Sequence, residues 1–162
     1  MAEAPWITPE LVALVTRIAR SHQRAFGQPL LAGAPAANPR LLAQELFAAA
    51  TVVLAHDGAD PGGDPGPRLI YANRAALLLW RRPWADLVGM PSRLTAEPAE
   101  QASRRQALVA ARAQHALSGY SGIRVDREGR RFLIQGARVW TLWGPGDQPC
   151  GQAAAFSTWW WL

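Results

Sequence analysis

The sequence contains no lysine: all 17 of its basic residues are arginine, set against 12 acidic ones. It has one cysteine, Cys150, and no apolar run approaching the ~20 residues of a membrane-spanning helix. A lone cysteine excludes an internal disulfide and any Cys-x-x-Cys metal or haem attachment site. The opening segment Met1-Ala2-Glu3-Ala4-Pro5-Trp6 lacks the basic and apolar regions of a secretory signal. These absences make the cytoplasm the expected compartment and the membrane no partner. The missing lysine also bears on the net charge of +5, which would otherwise invite a nucleic-acid reading. The arginines fall in scattered pairs, Arg81-Arg82, Arg104-Arg105 and Arg130-Arg131, with no basic stripe. An alanine-rich chain with arginine alone reads as GC-rich bacterial coding, so nucleic acid is not an expected partner.

Catalytic motifs are lacking too. There is no Gly-x-Ser-x-Gly elbow, no Walker loop and no Gly-x-Gly-x-x-Gly after a strand. The histidines, His22, His56 and His115, fall in different elements, which argues against a multi-histidine metal site. The loop Asp57 to Pro67 carries Asp57, Asp60 and Asp64, but not at EF-hand spacing and without a closing glutamate. The chain is therefore expected not to be an enzyme.

What is present centres on Leu69 to Glu97. Leu69-Ile70-Tyr71-Ala72-Asn73 reads as a strand. The period then changes: Ala76, Leu79, Trp80, Pro83 and Trp84 recur at helical spacing until Gly89 and Pro91 stop it. Before this stretch, Thr8-Pro9 and Asn38-Pro39 each combine an N-cap with proline in the first turn, predicting helices ending at Phe26-Gly27 and covering Leu42 to Phe47. Leu30 to Ala37 is loop by composition, and Thr51 to His56 is a short strand. After it, Glu97 to Leu117 is the longest predicted helix, capped by Thr95, with Ala102, Val109 and Ala113 on one side and Arg104, Arg105 and Arg112 facing water. The remainder is β: Tyr120 to Val125, Arg130 to Trp143, and Gly151 to Trp161. Simple alternation places Phe132, Ile134, Trp140 and Leu142 on one face of the long strand, and Leu133, Ala137 and Val139 on the other. Strands in runs, separated by helices and joined by tight turns, define an antiparallel α+β domain.

The segments Tyr71-Ala72-Asn73, Ala76-Leu77, Trp84, Met90-Pro91-Ser92-Arg93, Thr95-Ala96-Glu97, Tyr120-Ser121-Gly122, Gly129-Arg130-Arg131-Phe132, Val139-Trp140 and Gly151-Gln152-Ala153-Ala154 together resemble the MEKHLA family, a PAS-like domain. The resemblance covers roughly residues 40 to 162 and departs in the Asp57–Pro67 loop, which is longer and richer in glycine and proline. It implies a five-stranded antiparallel sheet with short helices on one face. It also implies a sensory or regulatory interaction domain with no established enzymatic role and no settled ligand or cofactor. On this reading residues 1–37 form a helical cap or dimerisation segment and residues 38–162 the PAS-like domain.

Candidate ligand-binding residues follow: Tyr71, Trp80, Trp84, Phe132 and Trp140 as aromatic walls, and Asn73, Arg93 and Gln152 as polar groups. Each has a plainer role to weigh against it. The aromatics suit a filled core, Asn73 suits a helix-entry anchor, and Arg93 suits an ordinary surface arginine. Gln152 resembles the glutamine that senses flavin in related light-sensing domains, but a reactive cysteine in the pocket helix is missing. His115, near the end of the long helix, resembles the position of an axial haem ligand, leaving a haem sensor or enzyme as the weaker alternative. Finally, Trp159-Trp160-Trp161 puts apolar side chains on both faces of the last strand. The outer face then needs a cover: the first helix with Leu11 and Ile18, or a second copy in a homodimer. The leading expectation is a sensory domain binding a small apolar or aromatic ligand and acting on a regulatory partner protein in trans. The alternative is a ligand-free dimerisation module.

Overall fold

A strand running straight into a helix leaves unsatisfied backbone groups at the junction, and Asn73 supplies what they need. It caps helix α3 (Arg74–Trp80), its Oδ1 accepting from the Ala76 N–H at 3.2 Å. The same oxygen accepts from Val53 N–H, at 3.0 Å, on strand β1 (Val52–His56). Its Nδ2 donates to the carbonyls of Thr51 (2.7 Å) and Leu46 (3.1 Å), the latter on helix α2 (Pro39–Ala48). One fully buried amide therefore ties two helices to the strand between them.

The computed structural model describes residues 2–33 and 37–162; Met1 and residues 34–36, within the loop expected from Leu30 to Ala37, lie outside the described residues. Helix α1 (Pro9–Phe26) starts at the Thr8 cap and ends at Gly27 in the left-handed region, and α2 starts at the Asn38 cap, as the sequence pattern predicts. Strand β2 (Leu69–Ala72) leads through Asn73 into α3, followed by the short helix α4 (Trp84–Leu87). Helix α5 (Pro98–Gln114) then crosses to strands β3 (Ala116–Val125), β4 (Arg131–Trp143), β5 (Pro149–Phe156) and β6 (Thr158–Trp161). All pair antiparallel in one sheet of order β2–β1–β5–β4–β3, with β6 beside β4. The last strand, expected as one piece, breaks at Ser157 into β5 and β6.

Both faces of the sheet are covered. The inner face carries Leu69, Ala72, Phe132, Ile134 and Phe156 against α3 and α4. The outer face carries Val53, Ala55, Tyr71, Trp140 and Leu142 against Val15 and Ile18 of α1 and Leu46 of α2. Two hydrogen bonds seat α1 on β4: Trp140 Nε1 donates to the Ile18 carbonyl at 3.2 Å, and Trp143 N–H donates to Ser21 Oγ at 3.0 Å. α1 covers the outer face of the central strands, while Trp160 on β6 remains 43% exposed.

Two expected faces are corrected. Phe132 and Ile134 do not share a face with Trp140 and Leu142. The pairing of β3 with β4 shifts between Tyr120 and Gly122, where three residues of β4 span two of β3. Gly136 within that interval has φ +69°, a left-handed value that a β-carbon disfavours. Beyond this bulge Ala137 lies on the inner face and Trp140 passes to the outer one. In α5 the buried side chains are Arg104, Leu108 and Ala111, at i, i+4 and i+7, whereas Val109 is exposed. Arg104 thus faces inward and not to water. The helix is rich in alanine, which carries little phase information, so the weak stripe was misplaced. Its boundaries also move: Glu97 occupies the N-cap, Thr95 instead donates its hydroxyl to the Ser92 carbonyl, and His115 closes the helix with φ +63°.

Asn73→Ala removes the side-chain partner of the Val53 and Ala76 N–H groups and of the Thr51 carbonyl, while the Leu46 carbonyl keeps the Ala49 N–H. It should cost about 3–5 kcal/mol of unfolding free energy, read as a lower urea midpoint with an unchanged denaturant slope.

Candidate functional site

Between the inner sheet face and α5 lies a cavity of about 70 Å³. Its apolar walls come from Leu54, Trp80, Ile134, Val139 and Phe156. Its polar lining comes from His56, Ser92, Arg104, Tyr120, Arg124 and Gln152. Strand geometry selects these groups. Alternation along β1 sends Val52, Leu54 and His56 inward, and the register places His56 directly beside Gln152 of β5. On β3, Tyr120, Gly122 and Arg124 share the inward face, and the glycine matters: a β-carbon there would lie 2.5 Å from the Tyr120 hydroxyl and 2.9 Å from Arg124 Nη1.

A chain of hydrogen bonds crosses the site. Gly58 N–H donates to His56 Nδ1 at 3.0 Å, so the ring proton sits on Nε2, which donates to Gln152 Oε1 at 3.0 Å. Gln152 Nε2 then donates to the Leu108 carbonyl at 3.2 Å, tying both central strands to α5. Burial, and next the charge of Arg104, lowers the His56 imidazole to about 4 against the opposing pull of Gln152 and Asp57. A neutral ring is also what the geometry needs, because a proton on Nδ1 would face the Gly58 N–H.

The arginines are the unusual feature. Arg104 is 7% exposed and Arg124 8% exposed. Arg104 Nη2 donates to Ser92 Oγ at 2.7 Å. Arg124 Nη2 donates to the Tyr120 hydroxyl and Nη1 to the Ile123 carbonyl, both at 3.0 Å. Burial and then the neighbouring Arg124 charge lower the Arg104 guanidinium to about 9, which still leaves it a cation at neutral pH.

The eight residues selected from the sequence do not converge. Trp80 and Gln152 line the cavity. Phe132 packs behind Trp80, ring centroids 5.2 Å apart, on the same face. Tyr71, Trp84 and Trp140 belong to the α1–α2 layer, Tyr71 edge-on to Trp84 at 5.8 Å. The Tyr71 hydroxyl is buried without a hydrogen-bond partner among the described residues, and burial pushes its ionisation upward. Asn73 spends its amide on backbone. Arg93 is exposed and does not line the cavity. His115 is exposed against Trp143, 4.9 Å between centroids, and Cys150 is exposed with its thiol donating to the Leu142 carbonyl at 3.5 Å; neither lines the cavity. Sequence reasoning missed His56, Ser92, Arg104, Tyr120 and Arg124. The period-2 phase of Val52-Leu54-His56 was the available signal for the first. Among the described residues no group of three or more His, Cys, Asp or Glu side chains is placed to hold a metal ion.

An antiparallel sheet with helices around a small, mostly apolar cavity is a PAS-like arrangement. The fold is shared with solved structures of that class. A PAS domain from Colwellia psychrerythraea is 14% identical, with a TM-score of 0.58 over 70% of this chain and 89% of that one. An RNA-binding light-oxygen-voltage receptor is 17% identical, with a TM-score of 0.63 over 79% of this chain but only 35% of the receptor. A light-oxygen-voltage domain studied with a flavin analogue is 13% identical, with a TM-score of 0.57 over 75% of this chain and 84% of that one. No curated protein matches the sequence. The chain belongs to the MEKHLA domain family, whose model matches residues 12–161 and so takes in most of α1. Among the described residues no helix is long and apolar enough to cross a membrane.

The depressed His56 value sets a pH dependence. The unfolded chain takes up a proton near 6.5 while the folded chain resists until about 4. Folding stability is therefore full above 6.5 and falls as the pH drops towards 4, by about 3 kcal/mol from this residue. His22, lowered chiefly by burial, adds a loss of the same sign. Urea titrations at pH 7 and pH 4 should show the loss, and His56→Gln should remove the His56 share.

Proposed function

We propose that this protein is a non-catalytic sensory and regulatory domain. It takes a small apolar or aromatic ligand into the cavity beneath α5 and passes the change on through protein–protein contacts. The observation that carries this reading is the cavity's make-up: apolar walls with a few converging polar groups, the general form of a ligand site. α5 contributes Arg104, Ala107 and Leu108 to the lining, so a bound molecule would act directly on the helix. Residues 1–37 serve as a helical cap on the PAS-like domain of residues 38–162, a role supported by the contacts of α1 with β4. The partner acts in trans, and the single cysteine together with the alanine- and arginine-rich composition suits a bacterial cytoplasm.

A second reading, a ligand-free homodimerisation module, is favoured by two observations. The cavity is smaller than the roughly 300–1,000 Å³ of most small-molecule sites. In addition, Trp160 is 43% exposed on β6, and Trp161 and Leu162 are exposed beside it. β6 pairs with β4 alone among the described residues, which leaves a short apolar edge open to a second copy.

Native mass spectrometry of the purified chain should show an adduct that disappears on denaturation; a bare chain with no adduct favours the ligand-free module. Light scattering at micromolar concentration should give twice the 17.6 kDa chain mass, falling towards the single mass in Trp160→Ser. A single mass for the unaltered chain would remove the dimer from either reading.

A further inference from the structure

The ion pairs of this protein are arranged the opposite way from what burial alone would favour. Every arginine that has a carboxylate partner among the described residues is an exposed one: Arg24 with Asp147, Arg40 with Glu3, Arg81 with Glu128, Arg127 with Asp86, Arg130 with Asp126, and Arg131 with Glu97. Arg104 and Arg124, the buried ones, have none within 4.0 Å among the described residues. Water satisfies an exposed guanidinium at little cost, whereas a buried cation without a counter-charge is destabilising.

Arg104 has a single hydrogen-bond partner among the described residues, the neutral Ser92 hydroxyl, so the rest of its N–H donors lack a protein acceptor. Arg124 bonds to a phenol and a carbonyl, both neutral. Asp57, the acid that follows β1, spends its Oδ1 on the backbone N–H groups of Ala59 and Arg68. Both arginines line the same cavity, whose apolar lining includes Trp80, Ile134 and Phe156. A site with two convergent cations and an apolar floor matches a molecule with an anionic head and an apolar body. The volume of about 70 Å³ restricts that molecule to a small one.

We propose that the cavity binds a small organic carboxylate, its carboxylate held by Arg104 and Arg124 and its apolar part against Trp80 and Ile134. This rests on the sensory reading above and names the class of its ligand. Ser92 holds the Arg104 guanidinium, and Tyr120, with the space left by Gly122, holds that of Arg124, so the fork is in place before the acid arrives. The neutral His56–Gln152 pair closes the polar side without adding charge.

The test uses the full chain and a series from acetate through butyrate to benzoate, each against its neutral amide, with sulfate as an inorganic anion. Thermal melting and calorimetry are the readouts. One or more of the carboxylates should raise the melting temperature and bind at least tenfold tighter than its amide. Arg104→Met should lose at least tenfold of that affinity, yet melt no lower than the native chain in the absence of ligand, since it removes an unpaired buried cation. Arg124→Gln should lose affinity likewise and serves if Arg104→Met fails to fold. Amides binding as well as acids, or Arg104→Met binding the acid within twofold of the native chain, overturns the carboxylate assignment and leaves the ligand cavity standing. Sulfate stabilising as strongly as every acid also overturns it. No response to any acid or amide overturns the assignment and the small-ligand reading together.

Discussion

The side-chain amide of Asn73 is the contact on which the first half of the structure depends. Only an amide both donates and accepts in the way this junction requires: two donors for the Leu46 and Thr51 carbonyls, and an oxygen shared by the N–H groups of Val53 and Ala76. A carboxylate could not donate, and a hydroxyl could not span the distance. Because this knot sets β1 against α3, it also sets the phase of β1. Leu54 and His56 must then face the cavity, while Val53 and Ala55 face α1. A local capping contact thereby decides which polar group enters the site.

The second constraint is that β4 serves two layers. Before the Gly136 bulge its inward residues are Phe132 and Ile134, large and packed; after it they are Ala137 and Val139, while Trp140 and Leu142 turn to the other face. Had alternation continued, an indole would occupy the inner face where Val139 now lines the cavity. The bulge therefore makes the cavity and at the same time delivers Trp140 to α1, where its N–H finds the Ile18 carbonyl. β5 and β6 keep register with β4 across the break at Ser157, so the neighbouring strand bends with it.

Within that space the polar groups divide into two kinds. His56 and Gln152 are internally satisfied and join strands to helix; they contribute rigidity, at the cost of a protonation that acid can force. Arg104 and Arg124 are different, because their hydrogen bonds fix orientation without cancelling charge. A fold that holds cations this way gives up stability in the empty state, and an anion would return it on binding. In the proposed carboxylate complex, ligand occupancy and the packing of α5 would be linked through Arg104, which sits on that helix.

Much of this was legible from residues alone. Thr8-Pro9 and Asn38-Pro39 announced two helices, the Leu69–Asn73 strand and its change of period announced the β2–α3 junction, and dispersed motifs pointed to the family. Asn73 was readable as an anchor because asparagine favours local backbone bonding. The site was far less legible. Strict alternation joined Phe132 to Trp140; the isolated Gly136 inside that strand is a bulge signal, but only the pairing with β3 shows that the bulge separates the two. An alanine-rich α5 hid the inward phase of Arg104, one arginine among 17. The sequence by itself determined the order of most elements and the caps of α1, α2 and α3, since those depend on neighbours a few residues apart. Which aromatics fill the α1 layer, which line a cavity, and which arginines lose their water was decided only by the tertiary structure, because a bulge and a helix phase are settled by packing between segments distant in the chain.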